Sequence, residues 1–126
     1  MALVSFTGEI ISALTSNRTL TDWVGKLHGI PNISFGTSPS ATFPSIIVYT
    51  VYNRDGEFAD DDPMSSVIRY QVTLFSDKPL STRIASEVDK EMRKLGFTRN
   101  NFFDLYHDST RTYQGVMLFD QELEII

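Results

Sequence analysis

The spacing of apolar residues lays out the elements of this chain before composition is considered. Phe6, Ile10, Ala13 and Leu14 recur at helical spacing and predict a helix over Leu3 to Leu14. Asn17-Arg18 breaks that pattern. Leu20, Trp23, Val24 and Leu27 then share one helical face, predicting a second, short helix over Leu20 to Leu27. Thr19 or Thr21 is placed to cap its start, and Gly29 and Pro31 mark its end. Residues 31–44 are rich in Pro, Ser, Thr, Gly and Asn and read as an exposed loop.

From Ile46 the period changes. Ile46 to Tyr52 is dense in β-branched and aromatic residues, with apolar groups on both faces. That predicts a central strand covered on both sides, or one with a side facing a partner chain. A polar, acidic loop follows, from Asn53 to Pro63. Val67 to Phe75 alternates: Ile68, Tyr70, Val72 and Leu74 fall on one face, Arg69, Gln71 and Thr73 on the other. Such alternation is the mark of a half-buried strand.

The clearest helix runs from Leu80 to Leu95, with Ile84, Val88, Met92 and Leu95 as its apolar stripe. Glu87 with Lys90 and Asp89 with Arg93 are placed to pair on its wet side, and Gly96 fits the position after the last turn. Phe97 to Phe103, containing Arg99-Asn100-Asn101, reads as a connection. Two more strands are expected, over Asp104 to Asp108 and Arg111 to Glu124, with Gly115 a place for a bulge. The strings Tyr70 to Phe75 and Tyr113 to Phe119 are alike and read as neighbouring strands of one sheet. The order of elements predicts a single α+β domain over residues 1–126. Its sheet would be mostly antiparallel, with about four strands and with helices packed on one face.

Composition narrows the function. A chain of 126 residues, 41% hydrophobic and 21% charged, is long enough for one real core without disulfides or metals. It has no cysteine, which excludes disulfides, thiolate chemistry and Cys-type metal sites, and suits a reducing cytoplasm. Its net charge of −5, with scattered Arg and Lys, argues against direct nucleic-acid or anionic-membrane binding. The first residues lack the basic and apolar regions of a signal peptide, and no apolar run spans a bilayer. The sequons at Asn17 and Asn32 therefore read as chance matches.

No residue pattern assembles an enzyme active site. His28 and His107 are the only histidines, and neither lies in a nucleophile or metal motif. Gly25, Gly29 and Gly36 lack phosphate-loop spacing. Trp23 reads as core rather than as a ligand platform. Asp60, Asp61 and Asp62, near Asp55 and Glu57, lack the ligand alternation of a calcium loop and read as a solvated acidic loop. Asp120, Glu122 and Glu124 alternate along the last strand, about 7 Å apart. That is loose for a shared metal, and suits a solvent face or an acidic surface meeting a basic partner.

Several strings, taken together, carry a resemblance. They are Leu20-Thr21-Asp22-Trp23-Val24-Gly25, Phe43-Pro44-Ser45-Ile46-Ile47-Val48-Tyr49, Arg69 to Ser76 with the amphipathic helix up to Gly96, and Arg111 to Asp120. Over most of its length the chain resembles the small tail-completion, or tail-terminator, proteins of long-tailed bacteriophages and prophages. The resemblance is one of element pattern, and the acidic loop at Asp60 to Asp62 lies outside it. It implies an α+β structural subunit with no cofactor, metal or catalytic role. Such subunits form a ring, often six-fold, at the head-proximal end of the tail tube, touching the tube protein and the head–tail connector. DNA passes through the lumen without specific binding. The implied location is the virion tail, and the host cytoplasm during assembly. Residues 31–44 and 53–64 are natural arms for ring contacts, and Asp60, Asp61, Asp62, Asp120, Glu122 and Glu124 are candidates for an interface or an acidic lumen. The alternative reading is a monomeric module that grips a protein or peptide through a sheet edge.

Overall fold

A computed structural model describes residues 5–37, 43–55, 58–59, 62–63 and 65–124. Three helices and nine strands appear among the described residues. Helix α1 (Thr7–Thr15) buries Ile10 and Leu14, as its apolar spacing requires. Helix α2 is Arg18–Trp23, earlier in the chain than the predicted span. Its cap is Asn17, not Thr19 or Thr21: the Leu20 amide donates to Asn17 Oδ1 at 3.2 Å. Val24 is already extended, and the Gly25 amide donates to the Pro44 carbonyl. Lys26 and Leu27 therefore leave the helix to form β1 (Lys26–Leu27), paired with β2 (Ile30–Pro31). His28 and Gly29 turn this hairpin with φ of 53° and 80°.

The stretch expected to be loop also contains β3 (Ile33–Phe35), which pairs in parallel with β4 (Ser45–Asp55). After β4 come the short strands β5 (Phe58–Ala59) and β6 (Asp62–Pro63), paired with each other. Next are β7 (Ser65–Ser76), α3 (Thr82–Lys94), β8 (Thr98–His107) and β9 (Thr112–Glu124). The main sheet has the order β3-β4-β7-β9-β8. It is α+β as expected, but the sheet has five strands and is mixed, because β3 runs parallel to β4.

Register explains which face is buried. The rows Ile46–Leu74–Gly115, Val48–Val72–Met117 and Thr50–Tyr70–Phe119 cross the sheet on one side. Their apolar members share one core with Ile10, Leu14, Leu20, Ile84, Val88 and Met92 of the helices. The helices thus cover that face. Tyr70 is fully buried, and its hydroxyl accepts the Phe6 amide at 2.9 Å at the start of α1. Phe97 stacks edge-on against both Phe6 and Tyr70. The similar strings Tyr70 to Phe75 and Tyr113 to Phe119 lie on adjacent strands.

Two further expectations change. Gly115 is not a bulge, because the β7–β9 register runs unbroken through it. A Cβ there would lie 2.9 Å from Leu80 Cδ1, so the glycine makes room for a core side chain. The bulges fall instead at Val51 in β4 and Asn100 in β8. Arg99-Asn100-Asn101 thus belongs to a bulged strand rather than to a connection. No helix among the described residues is long and apolar enough to cross a membrane.

Candidate functional site

The described surface has three features able to meet another molecule: the two edges of the sheet and its acidic end. The first edge is β8. All but one of its residues are exposed, and Phe103, Leu105 and Tyr106 are large apolar groups in water, Tyr106 at 49%. Among the described residues only β9 flanks this strand, so the amides and carbonyls of its other side form a free edge. The Tyr106 and Tyr113 rings lie 4.8 Å apart, and with Asp104 and Leu105 they line a cleft of about 290 Å³.

At the opposite edge stand β3 and the β1–β2 hairpin that leads into it. Ile30 is 69% exposed, and Leu27, Phe35 and Phe43 are also in water. Trp23, Phe43, Pro44 and Pro79 border a shallow cleft beside this edge, with Asp77 and Lys78 on its rim. Trp23 packs one side on the core while lining this cleft, so it serves both packing and surface. Of the exposed large hydrophobics among the described residues, only Val51, at the β4 bulge, lies away from the two edges.

The acidic end gathers residues that are far apart in sequence. Asp55 of β4 stands opposite Ser66, and Glu124 of β9 opposite Ser65. The connection through β5 and β6 therefore leaves and re-enters the sheet at the end where β9 finishes. Asp62 begins β6, while Asp60 and Asp61 lie outside the described residues. Asp120 and Glu122 share the sheet face away from the helices, opposite Arg69 and Val67. They are not equivalent. Asp120 is held by Arg69 through both guanidinium Nε and Nη2, the latter at 2.7 Å from Oδ2. This bond, chiefly, raises the Arg69 pKa above its ordinary value. Arg69 and Arg54 also lie over the Tyr52 ring, at 5.1 and 4.6 Å. Asp120 is thus neutralised within the sheet. Glu122 is exposed and forms no ion pair among the described residues.

The histidines stand apart from any such chemistry. His28 is exposed at the hairpin turn, and His107 Nε2 meets Gln114 Oε1 at 2.6 Å on the surface. Among the described residues, no three His, Asp or Glu side chains are grouped to hold a metal ion. A cleft of about 330 Å³ between α2 and the start of α3 is lined by Arg18, Thr19, Asp22, Trp23, Arg83 and Ile84.

The sequence points to the acidic residues and to 31–44 as a contact arm, but not to β3 and β8 as the two edges of one sheet. The second half of β8 falls on the strand expected over Asp104 to Asp108, but its first half, Thr98 to Phe103, reads as a connection because an exposed edge strand has no alternation to detect. No protein-family model matches this chain, and no curated protein matches it.

Proposed function

We propose that this chain is a structural subunit that associates head to tail into a closed ring, acting as the tail terminator of a long-tailed bacteriophage or prophage. The observation that carries the ring is the split of exposed apolar residues between β8, at one edge of the main sheet, and β3 at the other edge together with the separate β1–β2 hairpin that leads into it. A two-fold dimer uses the same patch on both partners, whereas a ring needs two different, complementary patches on each subunit. The tail assignment rests on the resemblance of Phe43 to Tyr49, Arg69 to Ser76 and Arg111 to Asp120 to that family. The subunit works through interfaces, not catalysis. Its tail-tube and connector partners would meet the two rims of the ring, and passing DNA would meet the acidic end of the sheet.

Gold-labelled protein incubated with purified tail tubes tests the assignment. Label at one end of each tube is the expected result. Label along the tube wall, or none, contradicts the terminator role. A monomer that instead takes extended peptides at β8 would favour a peptide-binding module, whose observation is the same open edge.

A further inference from the structure

The two edges of the sheet run in opposite directions. Strands β4 and β9 point the same way, since each is antiparallel to β7. Strand β3 is parallel to β4, and β8 is antiparallel to β9. A second copy set beside the first in the same orientation therefore brings its β3 antiparallel to β8. Antiparallel pairing is the more stable of the two ladder geometries.

Strand β8 is also undefended. Native edges are protected by lysine, proline, bulges or short length. Beyond the bulge at Asn100, the ladder from Asn101 to His107 is unbroken and contains neither lysine nor proline. The opposite edge is short: β3 has three residues, with Pro31 before it and Gly36, at φ of 83°, after it. Its three residues limit the added ladder to part of β8, so side chains of the β1–β2 hairpin would carry the rest of the contact. The charges of the two surfaces agree. Asp104 on β8 and Lys26 on β1 each lack an ion pair among the described residues.

We infer that β8 of one copy receives the β1–β3 edge of the next, so that one sheet passes from subunit to subunit. Phe103, Leu105 and Tyr106 then cover Leu27, Ile30 and Phe35 of the neighbour, with Lys26 drawn toward Asp104. This rests on the ring reading and names the contact that closes it.

The absence of cysteine makes a clean test possible. Leu105→Cys and Ile30→Cys change exposed positions, so both variants should fold, as circular dichroism would verify. Each alone, treated with a short bis-maleimide, should stay uncross-linked. An equimolar mixture should yield covalent dimers, and the double variant a ladder ending in a closed ring. Leu105→Lys should weaken self-association by about tenfold or more, the loss of a central apolar contact.

Leu105→Cys linking to itself would mean a two-fold β8–β8 pair and would overturn the head-to-tail contact. Rings that form by light scattering yet give no cross-link in the mixture would overturn this contact while leaving the ring intact. A chain that stays monomeric at every concentration, with no cross-link, would overturn both.

Discussion

At the scale of single residues, the structure separates charges paired inside the molecule from charges exposed at its surface. Asp120 belongs to the first group. A carboxylate bonded by both arms of a guanidinium is held in geometry as well as in charge. Asp120→Ala, leaving Arg69 half-buried and unpaired, should cost about 1–3 kcal/mol in urea unfolding. The double change with Arg69→Ala should cost less than the two single losses added together. Gly96 makes a backbone argument instead. It follows α3 at φ of 93°, and a Cβ there would stand 2.7 Å from Gln121 Nε2. Gly96→Ala should therefore destabilise by roughly 1 kcal/mol or more, seen as a lower melting temperature. The need for glycine after α3 was legible from its place behind an amphipathic stripe. The ion pair was not, because nothing in the local sequence sets Arg69 opposite Asp120.

Among elements, the legible ones are those whose neighbours in space are neighbours in sequence. Helix α3 was readable from Ile84, Val88 and Met92, and its pairs Glu87–Lys90 and Arg93–Asp89 form as spaced. Strand β7 was readable because one face meets the core and the other does not. Helix α2 was shifted because two different threonines and one asparagine compete for the cap. Asn17 wins through a contact far away in sequence: its Nδ2 donates to Glu87 and Glu91 of α3, both at 2.9 Å. Strand β3 was invisible because three residues among Pro, Ser and Gly are held extended only by pairing with β4. Removing the cap should show this coupling. Asn17→Ala should cost about 1 kcal/mol from the cap alone, measured by chemical denaturation. It should also change the acid response. Hydrogen bonds from Lys90 first, then Asn17, hold the Glu87 pKa below its ordinary 4.5. A depressed carboxylate contributes stability that is complete above its unfolded value and is lost as the pH falls through its folded one. The native protein should thus lose stability below about pH 4.5, and Glu87→Gln should lose less over the same range. An identical acid limb in the two proteins would contradict that role for Glu87.

For the whole molecule, function depends on sheet order, which no local pattern reveals. The acidic clusters at Asp60 to Asp62 and at Glu122 and Glu124 were legible as charge. That Asp55 of β4 and Glu122 and Glu124 of β9 stand at one end of the sheet was not. If that end faces passing DNA, replacing Glu122, Glu124 and Asp60 to Asp62 by their amides should increase DNA retention by the assembled ring, measured by co-sedimentation. Unchanged retention would remove the acidic lumen from the account. The edges carry the larger claim. Their exposed apolar residues are a liability in a monomer and an asset in a subunit with two unlike contacts. The most direct test is the mass in solution by size-exclusion chromatography with light scattering, from low to high concentration, with negative-stain images of the largest species. Closed rings of about six subunits, growing in with concentration, are the expected result. A two-fold dimer that never grows further, or open filaments without closure, would contradict it.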